Sequence, residues 1–68
     1  MVRTYNIIHY EHMRYSRNLL EMMRKLKRYD ALYVTGANLS TIRSVAWEAN
    51  LDMRVVKYLE GALVVQRH

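Results

Sequence analysis

Sixty-eight residues allow one domain with a small core. There is no cysteine, so disulfides are excluded, and three histidines make no ligand set for a structural zinc. Eleven Lys/Arg against six Asp/Glu give a net charge of +5 and a pI near 9.9, which favours a polyanionic partner.

With staples excluded, a chain this short needs good helix packing or a partner copy, and a homodimer is the expectation. No apolar run reaches the roughly 18 residues of a membrane span, so no membrane partner is expected. The first sixteen residues have no apolar core of signal-peptide length. The expected location is the cytoplasm of a prokaryotic cell, or of the host cell of a virus or plasmid. Pro is absent and Gly occurs twice. No linker, repeat or low-complexity tract divides the chain. Residues 1–68 read as a single domain, with 1–15 set apart as an N-terminal extension or dimerisation segment.

Met1 to Asn6 fits a tail, a short strand or a first helical turn, with Thr4 as the N-cap in the last case. From Tyr5 to Tyr29 one spacing persists. Tyr5, Ile8, His12, Tyr15, Leu19, Met22, Leu26 and Tyr29 alternate three and four apart, the spacing of one stripe along a helix. Met13, Leu20 and Met23 widen that stripe. Leu, Met, Glu, Lys and Arg favour helix over Ser16 to Arg28. The pattern extends the helix back to Tyr5, a rod of about 38 Å at 1.5 Å per residue. The stripe reads first as the intramolecular core of a three-helix unit; in the alternative reading its early part, surplus to what two short helices cover, packs on a second copy. His9 and His12 lie three apart but have no clear third ligand, so no metal is expected.

Arg24, Lys25, Lys27 and Arg28 crowd the end of this helix. Cations there complement the helix dipole and also suit phosphate contact; both readings stand. Asp30-Ala31 breaks the helical pattern. Leu32 to Thr35 is a β-prone run closed by Gly36-Ala37-Asn38. That turn has one Gly and no following Lys, so it is not a phosphate-cradling loop. No nucleophile–base pair or cofactor loop is present, so neither enzymatic activity, a cofactor nor a small-molecule ligand is expected.

Thr41 to Ala49 reads as a helix with Ser40 as N-cap, facing inward with Ile42, Val45, Ala46 and Ala49. Trp47 is expected half-buried against the N-terminal helix. Asn50 makes a sharp turn, Leu51 plugs the space behind it, and Asp52 caps a further helix from Met53 to Gly61. There Val56 and Leu59 point inward, Arg54, Lys57 and Tyr58 point outward, and Gly61 stops the helix. Leu63 to Arg67 reads as a closing strand, paired with Leu32–Thr35 or with a strand of another copy.

The stretch Thr41 to Gly61 resembles the helix-turn-helix superfamily. Val45, Ala46, Ala49, Leu51, Val56 and Leu59 stand at that family's buried spacing, with Asn50 where the family usually has Gly. With its flanks it is similar to the winged-helix branch. The resemblance implies a mainly α fold with a small β component, in the order helix, short strand, helix, helix, short strand. It implies a small DNA-binding protein that regulates transcription as a dimer, placing its second motif helix, about 53–61, in the major groove of double-stranded DNA. Met53, Arg54, Lys57 and Tyr58 would then contact bases. Thr41, Arg43, Ser44, Lys25, Arg28 and Arg67 would contact phosphates. Two other uses compete: a protein-interaction or dimerisation module without nucleic acid, and an RNA-binding winged helix.

Overall fold

The computed structural model describes residues 5–13, 16–49 and 52–66. Among these residues six elements follow one another: β1 (Asn6–Glu11), α1 (Ser16–Arg24), β2 (Asp30–Thr35), α2 (Leu39–Ala49), β3 (Met53–Tyr58) and β4 (Gly61–Gln66). The strands form one sheet in the order β1-β2-β4-β3. β1 runs parallel to β2, and β4 is antiparallel to both β2 and β3. The fold is therefore an α/β layer pair, not a mainly α helix-turn-helix.

Two segments overturn the helical expectation. Asn6–Glu11 is a strand and not the start of a long helix. Its register sets Ile8 beside Leu32 and Tyr10 beside Val34. Ile7, Ile8 and Tyr10 suit a pleated strand, where β-branched and aromatic side chains pack well. Met53–Tyr58 is likewise a strand and not a second motif helix. Its Val55-Val56 pair is stiff at χ1 and favours the extended chain. Gly61 therefore opens β4 instead of ending a helix. Val56 and Leu59 are exposed, not inward-facing as the helix required. The proposed Thr4 cap, Tyr15 of the stripe and the Asn50-Leu51 turn lie outside the described residues.

The other elements form near their expected places. α1 occupies Ser16–Arg24, inside the stretch that favours helix, and ends at Arg24 instead of Arg28. The amide of Lys25 is shared between the carbonyls of Glu21 and Met22, and that of Leu26 donates to Met23 at 3.2 Å, so the last turn tightens. Asp30 then fixes the connection. Its carboxylate accepts from the Lys27 amide at 3.0 Å, and its own amide donates to the Lys27 carbonyl at 3.1 Å. α2 is capped by Asn38 and not by Ser40: the Thr41 amide donates to Asn38 Oδ1 at 2.8 Å. β4 pairs with β2 through Leu32–Val64 and Val34–Ala62, as the strand reading of Leu63–Arg67 allowed. It is an interior strand and offers no free edge.

Both helices cover one face of the sheet. Leu19, Met23 and Leu26 from α1 and its end meet Ile42, Val45 and Ala46 of α2 over Leu32, Val34, Met53, Ala62 and Val64. Ala46 is 2% exposed, as a small residue at a close helix contact should be. Trp47, on the far side of α2, is 71% exposed and not half-buried. Gln66 ties the end of β4 to the helix layer by donating from Nε2 to the Leu26 carbonyl at 2.6 Å.

Two glycines hold tight approaches. Gly36 adopts φ +80°, and a Cβ there would lie 2.6 Å from the His12 carbonyl oxygen. At Gly61 a Cβ would overlap the backbone carbonyl of Val34. Gly61→Ala should therefore force β4 away from β2. A loss of at least about 1–3 kcal/mol in chemical unfolding is expected, the usual cost of overpacking. An unchanged unfolding midpoint would show that the two strands do not approach so closely.

Candidate functional site

The helices leave the second face of the sheet uncovered, and the strand registers place its side chains in rows. The first row runs Ile7, Ala31, Val65, Arg54 across β1, β2, β4 and β3. The second runs His9, Tyr33, Leu63, Val56. A third has Glu11 beside Thr35 on one side and Tyr58 on the other. Ile7 is 61% exposed, and Val56 and Tyr58 are each 44% exposed. Tyr5, Ile7, Ala31, Arg54, Val56, Leu63 and Val65 line a shallow groove of about 300 Å³ on this face.

Aromatic contacts fix the upper part of the face. The His9 ring stacks on Tyr33 at 5.2 Å and 23°. Tyr58 meets Tyr33 edge-on at 5.6 Å. His9 Nε2 and Thr35 Oγ1 lie 3.2 Å apart. At the opposite end Tyr5 stands edge-on to Tyr29 at 6.1 Å, and the Arg28 guanidinium lies 5.5 Å above the Tyr29 ring. The backbone amide of Asn6 donates to the Tyr29 backbone carbonyl at 2.8 Å and ties Tyr29 to the start of β1.

The structure redistributes the residues that the sequence grouped as base contacts. Arg54 and Lys57 are three apart, which on a strand sends them to opposite faces. Arg54 lines the open groove with Val56. Lys57 pairs with Ala62 on the helix-covered side but is exposed at its margin. Met53 is buried in the core, where no base can reach it. Tyr58 joins the aromatic cluster of the open face. No recognition helix exists at 53–61 to carry these four side chains into a groove of DNA.

The phosphate candidates fall into three places. Lys25 and Arg28 are exposed where α1 hands over to β2, together with Arg24 and Lys27. Arg43 and Ser44 are exposed on α2, and Thr41 is half-buried with its amide engaged by Asn38. Arg67 lies outside the described residues. His9 and His12 are not on a helix, and among the described residues no three His, Cys, Asp or Glu side chains group as a metal site. Among those residues, no helix is long and apolar enough to cross a membrane.

Sequence reasoning missed Tyr5, Ile7, His9, Tyr33, Leu63 and Val65 as one surface. Their common signal is apolar or aromatic side chains on both sides of a short strand. That pattern looks like a buried strand or a helix stripe until the sheet order is known.

Comparison of the chain with protein-family models, with curated proteins and with solved structures finds no match. No family hit thus supports the helix-turn-helix resemblance, and the strands at Asn6–Glu11 and Met53–Tyr58 contradict it.

The two placements of Met53 make different demands. As a core side chain, Met53→Ala should cost about 2–5 kcal/mol of unfolding free energy. Wild-type stability after the change would return Met53 to the surface.

Proposed function

We propose that this chain is a small basic nucleic-acid-binding protein that grips phosphates at the α1–β2 connection. The observation that carries the proposal is the exposed run Arg24, Lys25, Lys27 and Arg28. A helix C-terminus bears the equivalent of about half a negative charge. Four cations within five residues exceed what that end needs, so a positive shelf remains. The net charge of +5 supports the same reading, because it draws polyanions at long range.

The shelf is held in place. Asp30 pins the connection through Lys27, and Arg28 lies over the Tyr29 ring, which limits its wandering. A guanidinium over an aromatic face keeps its edge donors free for phosphate oxygens. Exposed Arg43 and Lys57 add to the field from elsewhere on the surface.

Contact of this kind reads charge and not bases, so binding is blind to sequence. Duplex DNA is the first partner to try and structured RNA the second. Regulation of transcription is one use to which such binding can be put.

A salt titration on duplex DNA, single-stranded DNA and structured RNA tests the proposal. Binding should weaken steeply with salt, and Lys25→Ala and Arg28→Ala should each reduce the log–log slope on duplex by about 0.9. Arg54→Ala should leave that slope unchanged. No retention on any of the three near about 0.1 M salt, where the Debye length is still about 10 Å, would end the nucleic-acid reading.

A further inference from the structure

The open sheet face differs in kind from the cationic shelf. It is apolar in the middle, with Ala31, Val65, Tyr33 and Leu63 on its two inner strands. Among the described residues of its four strands, only Arg54 and Glu11 carry a full charge on this face, one of each sign; Arg28 lies beyond the strands, over Tyr29. A polyanion therefore gains no net attraction there. Another apolar surface does.

The positions of those two charges say more. Arg54 sits on edge strand β3 at the end shared with Ile7 and Ala31. Glu11 sits on the other edge strand, β1, at the end shared with Thr35. They occupy diagonally opposite corners of the face. Three strand spacings and four residues separate them, or about 14 Å by 13 Å, too far to pair within one chain.

We propose that a second copy of this chain docks on the open face, with a two-fold axis along the other diagonal, from the Ile7 corner to the Tyr58 corner. That rotation lays Arg54 of each copy over Glu11 of the other. It also crosses the two sets of strands near a right angle, one of the two packings that sheets adopt face to face. The result is an apolar centre flanked by two reciprocal ion pairs. Any other occupant would have to match both corners by chance, whereas a second copy matches them by symmetry.

The size of the face sets the strength. Four strands of six residues span roughly 19 Å by 20 Å, or about 400 Å² in projection. A stable interface buries about 800 Å² of accessible surface per partner. The dimer is accordingly a reversible one that forms with rising concentration. The proposal does not depend on nucleic-acid binding, because the shelf at Arg24–Arg28 is a separate surface.

Sedimentation equilibrium over a range of concentrations tests it, with circular dichroism confirming that each variant stays folded. The wild-type mass should climb from 8.2 kDa toward twice that value. Arg54→Glu and Glu11→Arg should each weaken association by about ten-fold or more, since each sets like charges opposite one another twice. Arg54→Glu combined with Glu11→Arg should restore it. Because all three variants change only exposed side chains, a folding failure is not expected; should one occur, Arg54→Gln and Glu11→Gln provide the same comparison at neutral charge, each weakening association. A monomer at every concentration would overturn the proposal. So would single reversals without effect, or a double variant as weak as the singles. Loss of oligonucleotide binding on Tyr33→Leu in a monomeric protein would assign the face to nucleic acid instead.

Discussion

β4 lies between β2 and β3, and the rest of the molecule depends on the two ladders it makes. On one side it joins the β1–α1–β2 unit. On the other it joins β3, its hairpin partner. Without it, β3 would have no sheet to enter, and α2 would have half a floor. At that junction a Cβ on Gly61 would overlap the Val34 carbonyl, so the two strands meet there without room for a side chain. Core side chains then line up across all four strands as Ile8, Leu32, Val64 and Val55, beneath the two helices.

A sheet with helices on one side only has an unequal pair of faces. The covered face holds the core and explains why so short a chain folds without a staple. The uncovered face would ordinarily alternate to polar side chains. Here it keeps Ile7, Tyr33, Val56, Leu63 and Val65. Positive charge gathers instead at the α1–β2 connection. The molecule thus separates an electrostatic surface from an apolar one. The two proposals, phosphate contact and self-association, use different residues and do not compete for space.

Part of the second half of the fold is legible in the sequence. Gly36-Ala37-Asn38 marks a real turn, with Gly36 at positive φ. Ile42, Val45 and Ala46 mark the buried face of α2. The β-prone run at Leu32–Thr35 lies within β2, and β4 pairs with it, one of the pairings the sequence leaves open, although β4 also pairs with β3. The first strand was hidden because 51% of residues are apolar, and three-four spacings can be threaded through so dense a pattern. Strands apolar on both faces lose the period of two that would have exposed them. The β3–β4 hairpin was hidden for another reason. Its loop, Leu59-Glu60, lacks the Asn-Gly or Asp-Gly of a typical two-residue turn, and places Leu59 at φ +51°. Glu60-Gly61 then mimics a helix end. Of the candidate site, the exposed cations at Lys25 and Arg28 were visible as such. The grouping of Arg54 with Val56 and Tyr58 was not, because it needs a strand period and a sheet order.

The architecture rests on Met53–Tyr58 being extended and paired with β4. Nuclear Overhauser contacts in uniformly labelled protein test this most directly. Cross-strand contacts should link Val64 to Val55 on one side and to Leu32 on the other. Sequential helical contacts, three residues apart over Met53 to Gly61, would instead restore the motif helix and remove both the open face and the pairing of Arg54 with Glu11.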